Sequence, residues 1–210
     1  MVHYKLIYFD VRGRAEAIRQ LFKLAKVEFE DSRIDMETWA TSWNQTTPFG
    51  QVPVLEVNGK QIAQTNAILR YVGHEFGFAG TNSLENAQID ALADLLLDAQ
   101  AADGLKQWPL VILGAIKEDK VAFFKEKVRP QLHHYAGLYE KYLVEHGRPS
   151  FILDNVTWVD VLAAEYFTRF AEFGEPDALE AFPHIISLIE RVHNLPEIKK
   201  HIQERKPTAF

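Results

Sequence analysis

VHYKLIYFDVRGRAEAI, residues 2–18, reads as a strand, a turn and a helix in immediate succession. Lys5-Leu6-Ile7-Tyr8-Phe9 is apolar almost without a break, the pattern of a strand buried on both faces. Asp10, Arg12 and Gly13 interrupt it. Beyond Gly13, the residues Ala15, Ile18, Leu21, Phe22 and Ala25 recur at helical spacing. Tyr8 thus falls where strand gives way to loop, and in open α/β sheets ligands gather at the carboxyl ends of strands. A phenol donor with Arg12 and Arg14 close by suits an anion or a thiolate. The same residues also fit a half-buried core tyrosine beside solvated turn arginines, and this stretch alone leaves both readings open.

The bulk properties narrow the field. A chain of 210 residues can form one large or two small domains with a real core. With 25% charged and 47% hydrophobic residues it reads as an ordinary soluble globular protein. The net charge of −6 argues against a nucleic-acid or anionic-membrane partner. The absence of cysteine rules out a disulfide framework, a thiolate metal site and a cysteine nucleophile, and points to a reducing compartment. The start is strand-like, lacks a basic-then-apolar leader, and no run reaches the roughly eighteen apolar residues of a spanning helix. A cytoplasmic location is expected, with export by a non-signal route left open.

Past the first helix, Val27 to Ile34 reads as a second strand and Asp35 to Trp39 as the start of a short helix, ended by Thr46-Thr47-Pro48. Asn58-Gly59 lies between two short apolar runs, the strongest hairpin signal in the chain, with strands at Val54–Val57 and Lys60–Ala63. Pro53 opens the first of them, where a missing donor is tolerated. Thr65 or Asn66 is expected to cap the next helix, which carries Ile68, Leu69, Tyr71, Val72 and Phe76 and closes at Gly77. The order is β-α-β-α-β-β-α. Everything after the composition shift near Gly77–Asn82 reads helical. One long run spans Ser83 to about Gly114 and another spans Asp119 to His146, bent at Pro130. Thr157 and Asp160 form a capping box, with Val156 and Val161 as its hydrophobic staple. Two shorter helices, about Pro183–Asn194 and Pro196–Gln203, complete the chain.

A β-α-β-α-β-β-α unit with proline opening its third strand is the thioredoxin-like arrangement, and with helices following it the chain resembles a glutathione transferase. Carrying the resemblance are Tyr8, Arg12-Gly13-Arg14, Trp39, Phe49-Gly50-Gln51-Val52-Pro53, Gln64-Thr65, Asp98 on a long helix, and the Thr157–Asp160 box. The pattern is most similar to the sigma class, which includes glutathione-dependent prostaglandin D isomerases, and within it to the nematode forms. The resemblance implies an α/β plus all-α protein. Residues 1–80 would form a thioredoxin-like glutathione-binding domain, and residues 81–210 an all-helical domain supplying the electrophile site and dimer interface.

The resemblance also implies roles. Tyr8, with Arg14, would hold the thiol of glutathione as a thiolate. Gly50 and Gln51 lead to Val52, whose backbone could pair with the tripeptide as an added strand if Pro53 is cis. Gln64 and Thr65 would hold the γ-glutamyl end at a helix start. Trp39 would donate its indole N–H to the glycyl end. Sigma-type enzymes usually place a lysine shortly after that tryptophan; here Trp43 takes its place and can offer an N–H but no charge. Asp90, Asp94 and Asp98 share one helix face, and Asp98 would reach across a homodimer interface to the glutathione amino group. Some isomerases of this class bind a divalent cation there through clustered aspartates. Leu97 stands where one of those would be, so no metal is expected. The electrophile would meet Phe9, Gly13, Asp103, Gly104, Trp108 and Phe210, and Phe49 on its loop would insert into the partner subunit.

Several functions compete: conjugation of glutathione to hydrophobic electrophiles in detoxification, isomerisation of prostaglandin H to D by the same thiolate, and carriage of haem or another large apolar ligand. A lens-type structural protein would have no need to retain Tyr8, Arg14, Gln51, Gln64 and Asp98 together. A thiol–disulfide oxidoreductase is excluded by the lack of cysteine.

Overall fold

The computed structural model describes residues 2–208, which cluster into two compact units, 2–78 with Pro196–Thr208 and Ala79–Leu195. The first unit is built on four strands, β1 (Tyr4–Phe9), β2 (Glu30–Ile34), β3 (Val54–Val57) and β4 (Lys60–Ala63), in the order β2-β1-β3-β4. β1 runs parallel to β2 and antiparallel to β3, and β3 and β4 form the hairpin. Asn58 and Gly59 are both left-handed, at φ +49° and +80°, as a two-residue hairpin turn requires. The β1–β3 pairing runs from Tyr4↔Val57 to Ile7↔Val54, so Tyr8 and Phe9 project beyond the end of β3.

Both faces of β1 are covered, as its unbroken apolar run implies. On one face Tyr4 packs its ring on Phe22 of α1 (Glu16–Leu24) and Phe76 of α3 (Thr65–Phe76), at centroid distances of 5.3 and 5.7 Å. On the other, Ile7, Ile34 and Val54 form a cluster with Phe9, Trp39, Trp43, Val52 and Ala63 packed against it. Trp39 comes from α2 (Met36–Thr41), capped by Asp35, whose carboxylate accepts from the Thr38 N–H at 2.7 Å. A C-terminal helix, α10 (Pro196–Glu204), packs on α1 and so belongs to this unit rather than to the helical one.

Two local expectations are corrected here. The second strand begins at Glu30, not Val27, because the chain first closes α1: Lys26 is left-handed (φ +56°) and the Val27 N–H returns to the Phe22 carbonyl at 3.1 Å. The N-cap of α3 is Gln64, not Thr65 or Asn66; its side chain makes no capping bond, and Thr65 is the first helical residue.

The second unit contains α4 (Ser83–Ala101), α5 (Trp108–Ile112), α6 (Lys120–Phe123), α7 (Arg129–His146), α8 (Trp158–Phe173) and α9 (Pro183–His193). The run expected from Ser83 to Gly114 is broken after Ala101. Ala102 turns extended, and Gly104, at φ +81°, lies against the Lys127 carbonyl where a Cβ would collide. The bend expected at Pro130 appears as a π-helical turn, Phe124–Val128, ahead of it. Pro130 has no N–H for the Glu126 carbonyl and its ring crowds that turn, so the helix widens there. α8 is the central helix, buried without interruption from Trp158 to Phe170.

The capping box forms as the sequence indicates. Asp160 Oδ2 accepts from the Thr157 N–H at 2.7 Å and its hydroxyl at 2.6 Å, while Oδ1 accepts from the Phe151 N–H at 2.8 Å. Burial pushes the Asp160 carboxyl up, against the pull of these bonds. Thr157→Ala should therefore cost about 1 kcal/mol. Unchanged thermal and urea midpoints would show that Thr157 contributes no cap. Among the described residues, no helix is long and apolar enough to cross a membrane, and no cluster of three or more His, Asp or Glu could hold a metal ion.

Candidate functional site

Tyr8 is the last residue but one of β1, with 8% of its surface exposed. The chain then turns through residues 10–12 into a single 3-10 turn, Gly13–Ala15, that leads into α1. That turn brings the main-chain N–H of Arg14 to the Tyr8 hydroxyl oxygen at 3.1 Å. Gly13 is what lets the two meet: it is left-handed (φ +43°), and a Cβ there would stand 2.5 Å from the Tyr8 hydroxyl oxygen. Gly13→Ala should displace the hydroxyl and lower turnover by at least about tenfold, since misplacements near 1 Å can cost up to 10²-fold. A variant with the parent's kcat would show that the contact does not matter. The sequence suggested Gly13 as a contact for a second substrate; its observed neighbour is Tyr8. Arg14 is an exposed residue, and its bond to Tyr8 is made by its main chain, which no reasoning from side-chain type could reveal. A glycine at the mouth of a helix, five residues after a strand-ending tyrosine, was the available signal.

Other candidates gather near the same end of the sheet. Gln64 Nε2 donates to Gln51 Oε1 at 3.0 Å, which joins two residues thirteen apart in sequence. Gln64 holds φ +72°, rare for a residue with a side chain and costing about 1–3 kcal/mol, of the kind that persists at functional sites. Its side chain makes no capping bond to α3, and a helix start suits a carboxylate. Gly50 and Gln51 are exposed, and the Val52–Pro53 peptide bond is cis, as the resemblance implied. Phe9 meets Trp39 edge-on at 5.8 Å, and Trp39 and Trp43 pack on the same apolar cluster as Val52. Near Trp43 lies Lys5, with its ammonium 6.0 Å from the ring centroid and 3.0 Å from Glu30.

Beneath the loop between β1 and α1 lies a buried charge cluster. Glu16, 1% exposed, accepts from His201 Nε2 at 2.8 Å and Arg205 at 2.9 Å through Oε1, and from Arg19 at 3.0 Å through Oε2. Burial alone would push its carboxyl up. The hydrogen bonds and charge of His201, with Arg19 and Arg205, outweigh burial and hold it well below the usual carboxylate range.

In the helical unit, Asp94 and Asp98 are exposed on α4 and Asp90 is half-buried. Asp103 and Gly104 form the turn after α4, where the Gly104 N–H donates to Gln107 Oε1 at 2.6 Å. Trp108 is 2% exposed, stacked at 6.4 Å on Phe123 and edge-on at 5.1 Å to Phe124, and its Nε1 has no hydrogen-bond partner. Phe210 lies outside the described residues.

The chain matches two domain families along most of its length. These are the N-terminal domain of glutathione S-transferase over residues 4–74 and its C-terminal domain over residues 93–205. It is 48% identical over 209 residues to "Probable glutathione S-transferase gst-36" of Caenorhabditis elegans, covering 99% of each chain. Among solved structures it is similar to monomeric Na-GST-3 of the hookworm Necator americanus (TM-score 0.92, 37% identity, 99% and 100% covered). It also resembles a Nu-class glutathione transferase of Haemonchus contortus (TM-score 0.87, 37% identity, 100% of both chains). A third neighbour is prostaglandin synthase D of Nilaparvata lugens (TM-score 0.81, 32% identity, 98% and 100% covered). The chain belongs to the glutathione S-transferase family, enzymes with glutathione as co-substrate.

Proposed function

We propose that this protein conjugates glutathione to hydrophobic electrophiles in detoxification by the sigma-class route, with the Tyr8 hydroxyl donating a hydrogen bond to the glutathione thiolate. The observation that carries this reading is the Arg14 N–H held on the Tyr8 oxygen. With one lone pair of that oxygen already occupied from behind, the hydroxyl's own hydrogen is left to point at an acceptor. A free thiol has a pKa near 8.5, so little is ionised at neutral pH. Lowering that by about two units needs roughly 2.7 kcal/mol. One hydrogen bond to a charged group supplies about 1.5–3 kcal/mol, and Arg14, whose main chain meets the Tyr8 oxygen, carries a positive charge. The titration of glutathione bound to the enzyme tests this directly. Thiolate absorbance should appear about two pH units below that of free glutathione, and an unshifted titration would contradict it.

In this reading Gln51, Gln64 and Thr65 hold the γ-glutamyl end, the Val52 backbone pairs with the tripeptide beside Gly50 and Pro53, and Trp39 and Trp43 meet the glycyl end. Asp98 is supplied by a second copy of the chain. Phe9 and Gly13, which lie against Tyr8 in the first unit, face the electrophile. The homodimer rests on Phe49, which is 65% exposed, a large apolar side chain that water does not favour. Phe49→Ser should shift a dimer towards monomer in sedimentation and raise the glutathione KM through loss of Asp98. A parent protein that is monomeric and fully active at working concentration would remove both roles, as the monomeric hookworm relative makes worth checking.

A second reading has one observation in its favour, the likeness to prostaglandin synthase D of Nilaparvata lugens. The same thiolate could open the prostaglandin H endoperoxide. Product analysis with that substrate decides it: prostaglandin D formed faster than the uncatalysed mixture supports the isomerase, and an unchanged mixture excludes it.

A further inference from the structure

We propose that Arg19 is a positioning residue for Tyr8, an inference that rests on Tyr8 being the thiolate's donor. Arg19 lies on α1, one turn past the loop that carries Gly13 and Arg14, and its side chain has no exposed surface. Its Nη1 donates to the carbonyls of Val11 at 3.0 Å and Arg12 at 3.3 Å, so the guanidinium ties down the main chain that leads from Tyr8 to Gly13. The same nitrogen reaches Glu16 at 3.0 Å, and Nε meets both oxygens of Asp31 at 3.1 Å. Four neighbours from three segments thus fix one planar group, a task for the guanidinium fork that an ammonium cannot reproduce.

The remaining nitrogen, Nη2, is buried and has no hydrogen-bond partner. A buried guanidinium N–H without an oxygen acceptor calls for an explanation. The Tyr8 ring supplies one, since the Arg19 guanidinium carbon stands 6.0 Å from its centroid, within the range of a cation–π contact. Both carboxylates facing Arg19 are shared with other cations: Glu16 with His201 and Arg205, Asp31 with Arg33 at 2.9 Å. Arg19 therefore presents positive charge to the face of the ring whose hydroxyl meets the thiolate. Charge there strengthens the hydroxyl as a donor, and the two carbonyl bonds keep the Arg14 N–H on its oxygen. On the far side, His201 of α10 and Arg205 just past its end hold Glu16, so the C-terminal segment supports the same loop.

A double-mutant cycle tests the proposal. Arg19→Lys is measured in the parent and in the Tyr8→Phe background, by kcat/KM against pH and by glutathione affinity. In the parent, Arg19→Lys should lower kcat/KM about tenfold near neutral pH and raise the pH midpoint by about one unit. Glutathione affinity should hold within about twofold, and the same substitution in Tyr8→Phe should cost less than about twofold. An equal loss in both backgrounds would overturn the proposal while leaving Tyr8 as donor. Tyr8→Phe with full activity would instead sink the reading of Tyr8 and this proposal with it. If Arg19→Lys does not fold, Asp31→Asn provides the second arm, because it keeps Arg19 and removes a counter-charge. Its midpoint should move down by a few tenths of a unit only where the Tyr8 hydroxyl is present. No shift, or the same shift in both backgrounds, would overturn the proposal.

Discussion

Replacing Tyr8 with phenylalanine should lower conjugation at neutral pH about 10²-fold, the usual cost of losing one preorganised donor to a developing or resident anion. The ring stays, so its 5.6 Å contact with Phe9 and the packing of β1 survive and stability changes little. Glutathione binding should weaken far less than turnover, because in the proposed site Gln51, Val52, Gln64 and Thr65 hold the rest of the tripeptide. The pH dependence separates loss of the hydroxyl from general damage. The variant should regain activity as pH approaches the free thiol's pKa near 8.5, where solution supplies the thiolate. A variant that keeps its rate near pH 6.5, with an unshifted profile, would remove Tyr8 from the chemistry and make Arg14 the next residue to test.

Removing Glu16 should be the most destabilising single change at the charge cluster. Its side chain is 2% exposed and reaches both His201 and Arg205. Glu16→Ala leaves buried cations facing a void, and breaking a buried pair in this way costs about 3–5 kcal/mol. The sign of the pH dependence follows from the depressed carboxyl. Its stabilising contribution is complete above the unfolded glutamate's pKa of about 4.3 and is lost as pH falls through the lower folded value. The parent should therefore lose stability on acidification below about pH 4, and Glu16→Ala should lack that part of the slope. Urea midpoints across this range measure both. Equal midpoints for parent and variant at neutral pH would show that the cluster is not stabilising.

What the sequence made legible was local. The unbroken run at Lys5–Phe9, the Asn58-Gly59 turn and the Thr157–Asp160 box each carry their structure within a few residues, and each stands where it was expected. Tyr8 stands beside the end of its strand, as the apolar run indicates, whereas the bond from Gln64 to Gln51 joins two residues that the sequence marked only separately. Less legible were features decided by main-chain geometry or by distant contacts. Lys26 and Gln64 take left-handed conformations without the glycine that would announce them. The break after Ala101 depends on the close approach of Gly104 to Lys127, which periodicity within one helix does not encode. Arg14 meets Tyr8 through its backbone rather than its charge. Glu16 and His201 are 185 residues apart, so no window of sequence joins them, and the C-terminal helix consequently reads as part of the helical domain although it packs with the first unit.

The central claim is that the Tyr8 hydroxyl faces the sulfur of glutathione. The most direct measurement is a crystal structure of the protein with glutathione bound. The account predicts the sulfur within about 3.5 Å of the Tyr8 oxygen, with the Arg14 N–H still on that oxygen's other side. A sulfur well beyond hydrogen-bond reach of Tyr8, with the tripeptide otherwise ordered against Gln51 and Gln64, would contradict it.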